Sequence, residues 1–141
     1  MKGPLMRILF AIVALCATLQ VAARDRQQPI YMFAYGTNFN DSTVYLSAVE
    51  VVKGATLEAK TNFLNGRLTY SNAFKQYLDV KYNGVHTAAV FFNVKRDKLE
   101  KIYLKIRRNA QKSKAVRLVE IPVADFRLPI LTVQKTSDEN Q

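Results

Sequence analysis

Residues 87–120 read TAAVFFNVKRDKLEKIYLKIRRNAQKSKAVRLVE, and the way polarity changes along them decides the fold. Thr87–Val94 is apolar at odd and even positions alike and rich in β-branched and aromatic residues. It reads as a strand covered on both faces, inside a sheet. Asp97 stands where an N-cap belongs, with a carboxylate able to accept from the free N–H groups of a helix start. Leu99, Ile102, Tyr103, Ile106 and Ala110 then recur at the three-and-four spacing of one buried helical stripe. At 100° per residue, Lys98, Lys101, Lys105, Arg108 and Lys112 fall together on an opposing arc of roughly 80°. Val116, Leu118, Val119 and Ile121 form a second strand, which Pro122 ends because proline cannot donate to a ladder. A strand, a crossover helix and a second strand in this length satisfy the needs of a parallel βαβ unit.

Upstream, Ile30–Tyr35 is strongly β-prone and Thr43–Val52 alternates, with the turn-rich stretch Gly36–Ser42 between them, so an antiparallel hairpin is expected. Ala55–Leu64 carries a weak helical pattern that Asn65-Gly66 would stop, and Ser71 caps a clearer helix with Phe74, Tyr77 and Leu78 on one face. The expected fold is α+β: a single domain with a mixed sheet of about four strands in the order ββ-α(α)-β-α-β, helices mainly on one face. Val123–Val133 fits either an irregular crossing segment or a short edge strand. Residues 134–141 are polar and aperiodic and read as a flexible tail.

At the N-terminus, Lys2 and Arg7 precede an uncharged apolar run from Ile8 to Leu19, then Val21-Ala22-Ala23 and a polar Arg24-Asp25-Arg26. This is the pattern of a secretory signal peptide over residues 1–23, cleaved after Ala23, and the apolar run is too short for a retained anchor. A bacterial lipobox at Cys16 is disfavoured, because Leu15 stands where a small residue is wanted. Cleavage removes Lys2 and Arg7 from the 21 basic residues and none of the 11 acidic ones, leaving a net charge of +8, and it removes the single cysteine. A cysteine-free mature chain holds no disulfide and no thiolate metal site. Residues 24–133 suit one domain with one modest core.

The chemistry-bearing residues are few. His86 is the one histidine, which excludes a histidine-rich metal site, and no serine stands in a Gly-x-Ser-x-Gly context. Asp41, Glu50, Asp79, Glu100 and Glu120 are scattered, so paired-carboxylate hydrolysis rests on convergence in space alone. The glycines beyond the leader are isolated at turns, and neither a cofactor nor a nucleotide is implied. The sharpest surface feature is the arc Lys98, Lys101, Lys105, Arg108 and Lys112, which reads as a solvated helix face or as an anion-contact surface. Outside the cytoplasm the partner would be an anionic lipid headgroup, lipopolysaccharide phosphate or acidic glycan, not nucleic acid. Tyr31, Phe33, Tyr35, Phe39 and Tyr45 read as core and cross-strand packing before a sugar-stacking platform.

Phe39–Tyr45, Phe63–Arg67 with Tyr70-Ser71, and the Val90-Phe91-Phe92 strand leading into Lys98–Lys105 resemble a group of small exported proteins of unassigned function from Bacteroidota-type bacteria. The resemblance implies a Gram-negative periplasm or envelope and supplies no activity. The strand–helix–strand end is loosely similar to half of a peptidoglycan-binding sporulation-related repeat domain, from which the hairpin start departs, so no binding residue carries over. Taken together, the expected function is an exported, non-catalytic binding or interaction domain whose partner is a protein or an envelope polyanion. Peptidoglycan or anionic-envelope binding through the basic helix is the first alternative, and a small envelope hydrolase the second.

Overall fold

Strand β1 (Tyr31–Asn38) is the spine of the molecule. The computed structural model describes residues 28–131, so the expected leader over 1–23 and tail over 134–141 lie outside the described residues. Along one edge β1 pairs antiparallel over its whole length with β4 (His86–Asn93), from Tyr31 opposite Asn93 to Asn38 opposite His86. Its other edge is shared by β2 (Thr43–Ser47) and the two-residue β3 (Glu50–Val51), both antiparallel. Beyond β2 lies β5 (Arg117–Ile121), parallel to it from Thr43 opposite Arg117 to Ser47 opposite Ile121. The result is an open, mixed, five-stranded sheet in an α+β domain, with lateral order β4-β1-β2-β5 and β3 continuing the lane of β2.

Two helices complete the described residues, α1 (Arg67–Lys81) and α2 (Arg96–Lys112). β4 and β5 run in the same direction, as the strand–helix–strand pattern requires, but they are not neighbours. The β1–β2 hairpin lies between them. The crossover therefore spans three strand spacings, about 14 Å, which a helix of 17 residues, about 25 Å long, readily covers. β4 is accordingly at an edge of the sheet and not inside it, although its two faces are both covered.

The helices sit on opposite faces, not mainly on one. Along β1 the side chains alternate. Met32 and Ala34 enter a core with Tyr70, Phe74 and Leu78 of α1, whereas Phe33 enters a second core with Leu46 and Leu99 of α2. Phe33 stacks on Phe91 at 5.1 Å between ring centroids and meets Tyr103 edge-on at 5.2 Å. A strand apolar at both parities needs cover on both sides, and two helices on one face would have left half of β1 and β4 wet. Gly36, expected in the turn, lies inside β1. A Cβ there would stand 2.5 Å from Leu78 Cδ1 and 3.2 Å from Phe74 Cε1, so its absence lets α1 settle onto the sheet.

Several local expectations change. Ala55–Leu64 forms no helix: Leu57 and Leu64 face each other across an isolated antiparallel bridge. Glu58 N–H donates to Phe63 O at 2.8 Å, Asn65 Nδ2 donates to Thr56 Oγ1 at 2.9 Å, and Gly54 and Asn62 adopt positive φ. Side chains of this kind satisfy the backbone locally and compete with a helix. Gly66 does not stop a helix but starts one, as the left-handed N-cap of α1 at φ 72°. Ser71, expected as the cap, lies a turn inside and donates Oγ–H to Leu68 O at 3.1 Å. The N-cap of α2 is Lys95, without a side-chain cap, and Asp97 lies in the first turn, where its charge still favours the positive helix end.

After β5 the chain is irregular, and residues 122–131 add no further strand. Phe126 packs 5.0 Å from both Phe74 and Tyr77, Leu128 is buried, and Leu128 N–H donates to Glu50 Oε1 at 2.7 Å. The segment thus closes the α1 side of the sheet. Phe39, expected to pack, is exposed in the turn after β1, held by Asn38 Oδ1 accepting from Asn40 N–H and Asp41 Oδ1 accepting from Thr43 N–H. No helix among the described residues is long and apolar enough to cross a membrane.

Candidate functional site

α2 carries seven cations and two acids, and its apolar stripe decides which of them face outward. Leu99 and Ala110 are buried, and Tyr103 and Ile106 pack against the Phe33 core. Ile102, at roughly 60° from the centre of the stripe, remains 38% exposed at the border with the basic arc. Lys98, Lys101, Lys105, Arg108 and Lys112 are all exposed on the outward side, as their spacing predicts. Four of them, Lys101, Lys105, Arg108 and Lys112, line one open depression of about 440 Å³ with Leu104 and Asn109. Lys98 lies toward the N-terminal end of the arc and does not line it.

Glu100 and Glu120 are engaged by other cations, whereas Asp97, exposed in the first turn of α2, forms no ion pair among the described residues. Arg96 Nε donates to Glu100 Oε1 at 2.8 Å, and Arg107 Nε sits 3.0 Å from Glu120 Oε1 of β5 without hydrogen-bond alignment. Glu120 also accepts from Tyr103 Oη–H at 3.1 Å. Burial, then the Glu120 charge, pushes the Tyr103 phenol up to about 12, so it stays a donor to that carboxylate. Among the described residues none of the five arc cations forms an ion pair.

Beside the basic depression, under the C-terminal half of α2, an apolar cleft of about 410 Å³ opens over the sheet. Tyr35, Val44 and Phe91 form its floor, and Ile106, Ala110 and Val116 its wall. Asn109 lines both hollows. Nothing in the linear pattern marked this cleft, since its lining comes from three strands, the residue before a fourth, and one helix; the signal was at most the excess of apolar residues at both parities of β1 and β4.

A third cluster lies at the opposite, α1-bearing end of β4. His86 is wholly buried, its Nδ1 2.8 Å from Asp79 Oδ1, and its backbone N–H donates to the same oxygen at 3.1 Å. Nδ1 is thereby the protonated nitrogen, leaving Nε2 toward Asn38 Nδ2 at 3.5 Å. Lys75 Nζ reaches Asp79 Oδ2 at 2.5 Å. Hydrogen bonds from Lys75 and then His86 hold the Asp79 carboxyl down at about 2. The ring has no solvent-exposed face, so this pair ties the end of α1 to the start of β4. Sequence reading placed His86 at a strand entry and missed its partner seven residues upstream. Of the other acids, Glu50 is committed to Leu128 N–H and Asp41 to Thr43 N–H, and no group of three or more His, Cys, Asp or Glu able to hold a metal occurs among the described residues.

The fold and these surfaces define an α+β domain with one amphipathic, cation-faced crossover helix. Comparison with protein-family models, with curated proteins and with solved structures finds no match.

Proposed function

We propose that this chain is an exported, non-catalytic binding domain of a Gram-negative envelope, and that it engages an anionic envelope polymer, lipopolysaccharide or acidic glycan, through the outer face of α2. The observation that carries the reading is the convergence of Lys101, Lys105, Arg108 and Lys112 on one open depression, with Glu100 and Glu120 taken by Arg96 and Arg107. Here the unpaired cations are gathered, which concentrates positive potential where a polyanion can meet several at once. The leader-like N-terminus supports an extracytoplasmic setting.

Two measurements test this. Expressed whole in a Gram-negative host, the protein should be recovered from the periplasm with an intact mass beginning at Arg24; a cytoplasmic product retaining Met1 would remove the setting. Purified protein should be retained on lipopolysaccharide or isolated sacculi, with retention falling steeply as salt rises. Lys101→Glu with Lys105→Glu should abolish it. Retention indifferent to both salt and charge reversal would sink the proposal.

A further inference from the structure

The cleft under α2 adds a second kind of surface to the basic face. Its wall and floor are aliphatic and aromatic, no acidic residue lines it, and its volume falls within the range of roughly 300–1,000 Å³ typical of small-molecule sites. It is open to solvent, and its lining offers water few hydrogen-bonding partners. The hollow does not stand alone. Asn109 belongs to its rim and to the basic depression, and one turn to either side of Asn109 on α2 are Lys105 and Lys112, both lining that depression.

We infer that the cleft takes the hydrocarbon chain of a single-chain anionic amphiphile, with its charged head group held at the rim by Lys105 and Lys112 and by the Asn109 amide. The head-group half rests on the proposed role of the basic face; the chain half rests on the cleft alone. An apolar ligand without charge would leave the adjacent cations unused, and a polyanion without a chain would leave the cleft wet. A molecule carrying both satisfies both surfaces at once. The occupant enters as a monomer: Leu104 and Ile102 are the exposed large apolar side chains of α2, too few to seat the helix in a bilayer.

The test uses saturated carboxylates of eight, ten and twelve carbons as probes, below their micelle concentrations, titrated calorimetrically into the mature chain. Affinity should rise about fourfold per added methylene until the cleft is full. Methyl resonances of Val44, Ala110 and Val116 should shift on binding. Ala110→Leu and Val116→Phe, each occupying part of the hollow, should weaken the ten-carbon probe about tenfold or more while leaving retention on sacculi intact. Lys105→Gln with Lys112→Gln should weaken the carboxylate and leave the matching ten-carbon alcohol unchanged. Absence of a chain-length trend, or of shifts at those three methyls in the unaltered protein, would overturn the inference, whatever the variants do. If sacculi retention persists while the carboxylates fail to bind, the amphiphile reading falls and the polyanion reading stands. If the carboxylates bind as described while sacculi retention ignores charge reversal, the reverse holds.

Discussion

Asp79 carries three interactions at once: Lys75 on its own helix, and both the ring and the backbone N–H of His86 across the turn. Because its pKa is depressed from 3.8 to about 2, the ionised form is the one the fold favours. The stability it contributes is fully present above pH 3.8 and is lost as pH falls through about 2. Asp79→Asn should therefore flatten the acid limb of a plot of urea midpoint against pH between those values; a limb as steep as that of the unaltered protein would show that other carboxylates dominate. Gly36 makes a simpler point. An alanine methyl there meets Leu78 and Phe74 in a filled core, so Gly36→Ala should destabilise by about 1–3 kcal/mol, read as a lower urea midpoint at constant m.

At the scale of elements, α2 is held by its apolar stripe and not by its charges. The Arg107–Glu120 pair is some 40% exposed on each side, so Glu120→Gln should cost less than about 1 kcal/mol. Leu99, wholly buried in the core with Phe33 and Leu46, should cost about 2–5 kcal/mol when cut to alanine. Chemical denaturation of the two variants side by side checks the ranking, and equal losses would mean that the ion pair docks the helix. The same division leaves the basic arc free for a ligand, since none of its members is needed to hold α2 down. This helix was legible in sequence because a 3.6-residue period reports a buried stripe directly. Ala55–Leu64 was not, because two leucines a few residues apart fit a helical face or a bridged turn equally well until Leu64 finds its place in the core.

For the whole molecule, β1 is shared by two cores, with Met32 and Ala34 on one face and Phe33 on the other. Neither core can be lost without unpairing the strand that the other depends on. Phe33→Ala and Phe74→Ala, each removing about 3–5 kcal/mol from a different core, should thus lower one common transition, with far-UV circular dichroism and tyrosine fluorescence coinciding. Separate transitions by the two probes would mean that the layers unfold independently.

What the amino-acid order determined by itself was the character of each surface: a strand apolar at both parities, a helix oily on one side and cationic on the other, and the set Lys98, Lys101, Lys105, Arg108 and Lys112 facing solvent. Periodicity records which sides of an element must be dry, because that depends only on the geometry of the element. It does not record what covers them. Only the tertiary structure decided that the β1–β2 hairpin would lie between β4 and β5, that the two helices would take opposite faces, that Asp79 would meet His86, and that a cleft would remain under Ala110 beside Asn109. Those outcomes depend on competition between strand edges and between apolar faces far apart in the chain, and that competition is resolved only when all of them pack at once.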